Sequence, residues 1–168
     1  MSSDFYATSI APFAPIIIKI CRAYTNTQAD FEDCYQEVCL QIWRSHGTFD
    51  GRAAWSTWIY RVSLNVCMTL LKTQKRNRRL FAFDEVPPEF VEDSRAFADE
   101  SLNQLYDAIR QLSEVDRAVI LLYLDEKSHR EIAEIIGTNP NNVGVRINRI
   151  KERLRRLLDE KDHRSDVA

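Results

Sequence analysis

Glycine is scarce in this sequence, with four in 168 residues, and proline is nearly as rare, with five. So few turn formers exclude collagen-like, low-complexity and sheet-rich classes and suit a chain that spends most of its length in helix. Cysteine occurs at Cys21, Cys34, Cys39 and Cys67, and no two share a CxxC spacing. Each falls on or beside an apolar helical position, so the four read as buried free thiols of a reducing compartment, with no metal site expected. No apolar run approaches the roughly 20 residues needed to cross a bilayer. The stretch Ala14 to Ile20 is short and holds Pro15 and Lys19. A charged region followed by an apolar core is missing from the N-terminus, so no secretory leader is expected and the chain is placed in the cytoplasm without membrane insertion. Catalytic signatures are missing as well. There is no P-loop and no nucleophile elbow, and His46, His129 and His163 are scattered. The expectation is a chain that is not an enzyme and needs no cofactor.

Charge is present but segregated. The net charge is −2 and the pI near 5.9. From Lys72 to Arg79 there are five bases and no acid; from Asp84 to Asp107 eight acids face Arg95 alone; from Ser128 to Leu158 seven bases face three acids. Basic blocks flanking an acidic one point to two phosphate-attracting surfaces on separate modules, while the acidic pI excludes nonspecific coating of nucleic acid by the whole chain.

The clearest local signal is SHREIAEIIGTNPNNVGVRINRIKERLRRLL. Ser128 followed by Glu131 predicts a capping box. Gly137 predicts a left-handed helix end, and Asn139-Pro140 predicts an immediate restart. Val143, Ile147, Ile150, Leu154 and Leu157 give the second helix a buried face, with Arg146, Arg149, Lys151, Arg153, Arg155 and Arg156 on its other sides. A short helix, a tight turn and a basic second helix predict a helix-turn-helix whose second helix enters the major groove; the alternative is an αα-hairpin with a solvated basic face. Two further helices, about 99–112 and 114–124, should pack beneath it. Leu102, Leu105, Ile109 and Leu112 are expected inward on the first, and Val115, Ala118, Val119 and Leu122 on the second.

The N-terminal half predicts three helices. The first starts near Pro12 or Pro15 and ends at Tyr24, with Ile16, Ile17, Ile20 and Tyr24 inward. The second runs from about Ala29 to Ser45, with Phe31, Cys34, Val38 and Ile42 inward. Asp33, Gln36, Glu37 and Gln41 take its other faces, which reads either as ordinary solvation or as a docking face for a basic partner. After the loop His46–Gly51, a long helix runs from about Ala53 to Leu80, with Trp55, Trp58, Ile59, Val62, Val66 and Leu70 as its apolar stripe. The tryptophans are core residues or supports for an unstacked base. Five bases in the last turns exceed what the helix dipole requires and favour phosphate contact. Residues 81–98, with Pro87-Pro88 and most of the acid, read as a tether between domains 1–80 and 99–160. The fold class is all-α, with two small helical domains.

These motifs in this order resemble the small extracytoplasmic-function group of bacterial RNA polymerase sigma factors, over nearly the whole chain. DFEDCYQEVCLQIWR is similar to the family's polymerase-binding helix, with Asp33, Gln36, Glu37 and Trp43 matching its motif. FDGRAAWSTWIYRVSLNVCMTLLKTQKR is similar to the promoter-melting segment, with Phe49, Trp55, Ser56, Thr57, Trp58, Arg61, Asn65 and Lys72 in step. The resemblance implies a region 2 type domain that binds the β′ coiled coil and takes the minus-ten element as single strand. The loop Gly47 to Ala54 would hold an extruded base, and Lys72, Lys75 and Arg76 would hold the backbone. It implies a region 4 type domain that meets the β flap and reads the minus-thirty-five element through Asn141, Asn142, Val145, Arg146 and Arg149. It also implies promoter-specific transcription initiation with core RNA polymerase under control of an anti-sigma factor. A stand-alone helix-turn-helix regulator of duplex DNA is the alternative. Gly144 and Thr69 depart from the family's pattern: Gly144 reads either as close backbone approach to DNA or as drift.

Overall fold

A computed structural model of the chain describes residues 1–80 and 99–167, all of whose regular structure is helical. The described residues form two compact units, one on each side of 81–98. The acidic tether expected over 81–98 lies outside the described residues.

The first unit is built on α1 (Ala14–Tyr24), α2 (Gln28–Ser45) and α3 (Trp55–Leu80), each packed on the other two. Helical backbone begins earlier than expected. A cap at Ser2 opens a turn at Ser3–Phe5, a π-turn spans Tyr6–Ile10, and a 3₁₀ turn spans Ala11–Phe13 before α1. Pro12 and Pro15 each sit in the first turn of the segment they open, where a missing N–H is tolerated, so they re-pitch the helix without ending it. The whole run Ser3–Tyr24 is thereby long and apolar enough to cross a membrane by length and composition, contrary to the sequence reading. Ile10, Ile17, Ile20, Cys21 and Tyr24 of this run are buried in the core of this unit. Ile16 is only half-buried.

Helix α2 is capped by Thr27, whose hydroxyl accepts the Asp30 N–H at 3.1 Å. It buries Cys34, Val38 and Ile42 as expected, adds Cys39, and leaves Phe31 half-buried. Helix α3 is turned from the expected stripe. Its buried residues are Ile59, Tyr60, Ser63, Leu64, Cys67 and Leu71, so of the expected six only Ile59 is buried. Val62, Val66 and Leu70 instead line an open groove of about 310 Å³ beside Glu37 and Gln41 of α2. The expected stripe follows the two large tryptophans. The actual core face is set one residue further round the helix and mixes Tyr60, Ser63 and Cys67 with Ile59, Leu64 and Leu71.

The second unit holds α4 (Glu100–Arg110), α5 (Glu114–Leu124), α6 (His129–Ile136) and α7 (Pro140–Ser165). Each begins at a side-chain cap: Asp99, Ser113, Ser128 and Asn139. Both bonds of the Ser128/Glu131 capping box are present, at 2.7 and 3.1 Å, and Gly137 ends α6 at φ +85°. Helix α7 buries Val143, Ile147, Ile150 and Leu154 and half-buries Leu157. Two expected inward positions are solvent-facing, Leu102 on α4 and Val115 on α5, while Leu105 is half-buried. In their place Tyr106, Ala108 and Ile120 enter the core. Arg117 of α5 is buried, and its guanidinium donates to the Leu112 and Arg110 carbonyls, closing the C-terminal end of α4.

Candidate nucleic-acid interface

At about 100° per residue, the long helix α3 gathers Trp58, Arg61, Asn65, Lys72 and Arg76 along one stripe opposite its core face, with Lys75 at the stripe's edge. Asn65, Lys72, Lys75 and Arg76 are exposed, and Trp58 and Arg61 are half-buried. Ser56 lies on the core side of the first turn and is half-buried, so it does not join the stripe; Thr57 is half-buried at its edge. The stripe therefore runs from an aromatic end to a cationic end. Such a surface offers stacking and then phosphate attraction along one direction.

The aromatic end is a cluster. Trp55 and Trp58 stack with centroids 4.8 Å apart, and Phe49 meets Trp55 edge-on at 5.0 Å and Trp58 at a tilt at 5.7 Å. The Trp55 indole N–H donates to the Ser9 carbonyl at 2.9 Å, tying the cluster to the segment before α1. All three rings are half-buried, so the cluster is partly packed and partly open to solvent. The adjoining loop is shaped by Gly51 at φ +74° and by Asp50, which accepts the Arg52 N–H at 3.0 Å.

On α2, Asp33 and Gln36 are exposed and Glu37 is half-buried, forming one face with the exposed Leu40 and Arg44. Glu37 pairs with Arg44 at 3.8 Å in a solvent-facing bridge. Trp43 lies at the edge of this face, seven residues from Gln36, and is half-buried. It packs edge-on against Phe5 at 5.0 Å and stacks on His46 at 5.2 Å, and its carbonyl is hydrogen-bonded to the His46 ring. Trp43 thus fixes the N-terminal turn and the α2 terminus in place.

In the second unit Asn141, Asn142, Val145, Arg146 and Arg149 are all exposed on α7. Asn141, Val145 and Arg149 lie on the side away from the core, whereas Asn142 and Arg146 lie on its flank. Asn142 belongs partly to the cap: its N–H reaches Asn139 at 2.9 Å and its amide reaches Thr138 at 3.3 Å. Arg146 pairs with Asp116 of α5 at 2.8 Å. Two more of the basic residues brace the helix. Lys151 sits 4.3 Å from the centroid of the Tyr123 ring, and Arg153 donates to the Gln111 carbonyl at 3.2 Å. The basic face is accordingly divided between bracing residues and outward ones. The sequence reading passed over Asn148, which is exposed and lies on the outward face, three residues from Val145 and seven from Asn141. Helical spacing from those two residues was the available signal.

Comparison with known proteins agrees with both units. Residues 10–77 match the family model described as Sigma-70 region 2, and residues 102–154 match that described as Sigma-70, region 4. The chain is 30% identical over 135 residues to the ECF RNA polymerase sigma-E factor of Escherichia coli (strain K12), covering 73% of this chain and 71% of that one. It is 27% identical over 167 residues to SigW of Bacillus subtilis (strain 168), covering 92% and 89%. It is 28% identical over 182 residues to SigG of Mycobacterium tuberculosis (strain H37Rv), where it covers 92% of itself but spans only about half, 48%, of that relative. Among solved structures, the fold is similar to a sigma factor RpoE crystallised with the anti-sigma factor NepR from Bartonella quintana. That likeness has a TM-score of 0.73 at 21% identity and covers 94% of this chain and 98% of that one. CnrH, solved with the cytosolic domain of CnrY, gives 0.68 at 19% identity, covering 95% and 90%. With region 2 and region 4 matched in order and a relative of 30% identity spanned over most of its length, the chain belongs to the ECF group of sigma-70 family RNA polymerase sigma factors.

Proposed function

We propose that this chain is a dissociable subunit of RNA polymerase that selects promoters and starts their transcription in the cytoplasm. The observation that carries this is the stripe on α3, aromatic at one end and cationic at the other, in the same chain as an exposed recognition-helix face on α7. Asp33, Gln36 and Glu37 supply acceptors to a basic helical surface of core polymerase, the β′ coiled coil, and the second unit docks on the β flap. Trp43 supports that face indirectly, by holding the N-terminal turn. Phe49, Trp55 and Trp58 receive an unstacked base of the minus-ten element, and Arg61, Asn65, Lys72, Lys75 and Arg76 follow its backbone. Asn141, Val145, Asn148 and Arg149 face the minus-thirty-five duplex, with Asn142 and Arg146 at the groove edge. The solved relatives were captured with an anti-sigma factor or with a cytosolic partner domain, which supports control of this chain by a protein partner of that kind.

The test is run-off transcription with purified core polymerase on a library of genomic fragments. The expected result is initiation at a small set of sites sharing two separated elements. No initiation, together with no binding to core polymerase, overturns the proposal. A palindromic footprint formed without polymerase would transfer it to a stand-alone regulator.

A further inference from the structure

The cysteines are far apart in sequence and together in space. Cys21 comes from α1, Cys34 from α2 and Cys67 from α3, and each is buried, with 0, 2 and 1% exposure. The Cys34 and Cys67 sulphurs are 3.2 Å apart, those of Cys67 and Cys21 are 4.0 Å apart, and all three lie within 4.8 Å of one another. Cys39 is also buried but stands outside the group. Three sulphurs bound to one ion at about 2.3 Å would be spaced about 3.8–4.0 Å apart, so the observed triangle accepts an ion at its centre with shifts of under about 1 Å. The ion would occupy the space of the thiol protons it displaces.

We propose that Cys21, Cys34 and Cys67 form a three-thiolate site for a thiophilic d¹⁰ metal ion, Cu(I) or Zn(II), at the junction of the three helices of the first unit. The donor set selects the metal class. Three sulphurs with no carboxylate or imidazole among them exclude Mg(II) and Ca(II), which take oxygen ligands. No fourth Cys, His, Asp or Glu of the described residues joins the group. That suits Cu(I), which is satisfied by three thiolates; Zn(II) would complete its four positions with a water.

A second observation supplies an approach. A groove of about 240 Å³ is lined by Cys34 and Cys67 together with the carboxylate residues Asp30, Asp33 and Glu37. Acidic walls concentrate cations at such a mouth. Once bound, the ion ties α1, α2 and α3 at one point beneath the face that carries Asp33 and Glu37. Occupancy would therefore stiffen the unit by binding its folded form alone.

The test uses the purified full-length chain, reduced and handled without oxygen. It is offered Cu(I) and, separately, Zn(II), then desalted and measured for metal. The expected result is one equivalent per chain for at least one of the two ions, X-ray absorption showing sulphur neighbours at about 2.3 Å, and a raised thermal midpoint. Cys34→Ala is expected to lower retained metal at least tenfold, and Cys39→Ala to keep the full equivalent; circular dichroism reports whether each variant is folded. Should Cys34→Ala not fold, the wild-type stoichiometry and its sulphur coordination decide the matter. Failure of the wild-type chain to retain either ion, coordination by oxygen or nitrogen alone, or full retention by folded Cys34→Ala would each overturn the site. None of these readouts depends on transcription.

Discussion

Gly144 stands in the interior of α7, where glycine costs a helix about 0.5–1 kcal/mol relative to alanine. A Cβ built there meets the His129 ring of α6 at 3.4 and 3.5 Å, which is ordinary contact. Nothing within its own unit therefore demands glycine. Gly144→Ala is expected to raise stability by about 0.5–1 kcal/mol in urea denaturation. The same variant separates the two readings of this position. Unchanged duplex affinity means drift, and a tenfold or greater loss means that the helix backbone approaches DNA there. Arg146 is the second informative residue. Its pair with Asp116 is solvent-facing, with side chains 46 and 24% exposed, so breaking it costs the fold at most about 1 kcal/mol. Arg146→Ala should keep the fold and core-polymerase binding yet weaken the upstream duplex by about 1–3 kcal/mol in a mobility-shift titration. Asp116→Ala, which releases Arg146, should leave that affinity unchanged or stronger. Sequence alone gave Arg146 its exposure but not its tether, because Asp116 lies thirty residues away and meets it only through packing of α5 on α7.

At the level of elements, the local signals of the helix-turn-helix were read correctly, while the equally local caps at Ser2, Thr27 and Asp99 were passed over. The caps at Ser128 and Asn139 and the left-handed Gly137 depend on neighbours within four residues, and all three are in place. Signals that depend on which neighbour a helix meets were not legible. The burial of Ser63 and Cys67 on α3, and the meeting of Cys21, Cys34 and Cys67, arise from the packing of three helices and have no linear spacing that announces them. Ser63 is fully buried with its hydroxyl unpaired among the described residues. Ser63→Ala should accordingly be neutral or stabilising, by up to about 1 kcal/mol. The capping box has a pH signature. The Ser128 backbone N–H, and after it the Ser128 hydroxyl, hold the Glu131 carboxyl below its ordinary value of 4.5. A depressed folded pKa contributes stability that is complete above 4.5 and is lost as the pH falls through the lower folded value. Acidification from pH 6 to pH 3 should therefore destabilise the wild-type second unit more than it does Glu131→Gln, as followed by urea midpoints. Ser128→Ala should cost about 1 kcal/mol at neutral pH.

For the molecule as a whole, the division of charge between surfaces makes separable predictions. Lys72, Lys75 and Arg76 are exposed on or beside the stripe of α3 opposite its core face, whereas Asp33 and Glu37 line a groove with Cys67, Leu70, Leu71 and Gln74 of that helix. A chain that uses one surface for polymerase and another for promoter backbone must lose these activities independently. Asp33→Lys with Glu37→Lys should abolish binding to core polymerase, measured by co-elution, while both variant positions remain solvent-accessible and the helical spectrum is kept. Lys72→Ala, Lys75→Ala and Arg76→Ala together should leave core binding intact but weaken promoter binding by the assembled holoenzyme. Each phosphate that the variant no longer neutralises should lower the slope of log affinity against log salt by about 0.7–0.9. A triple variant with an unchanged salt slope would remove the cationic end of α3 from the promoter, and one that fails to bind core polymerase as well would mean that the two surfaces are one.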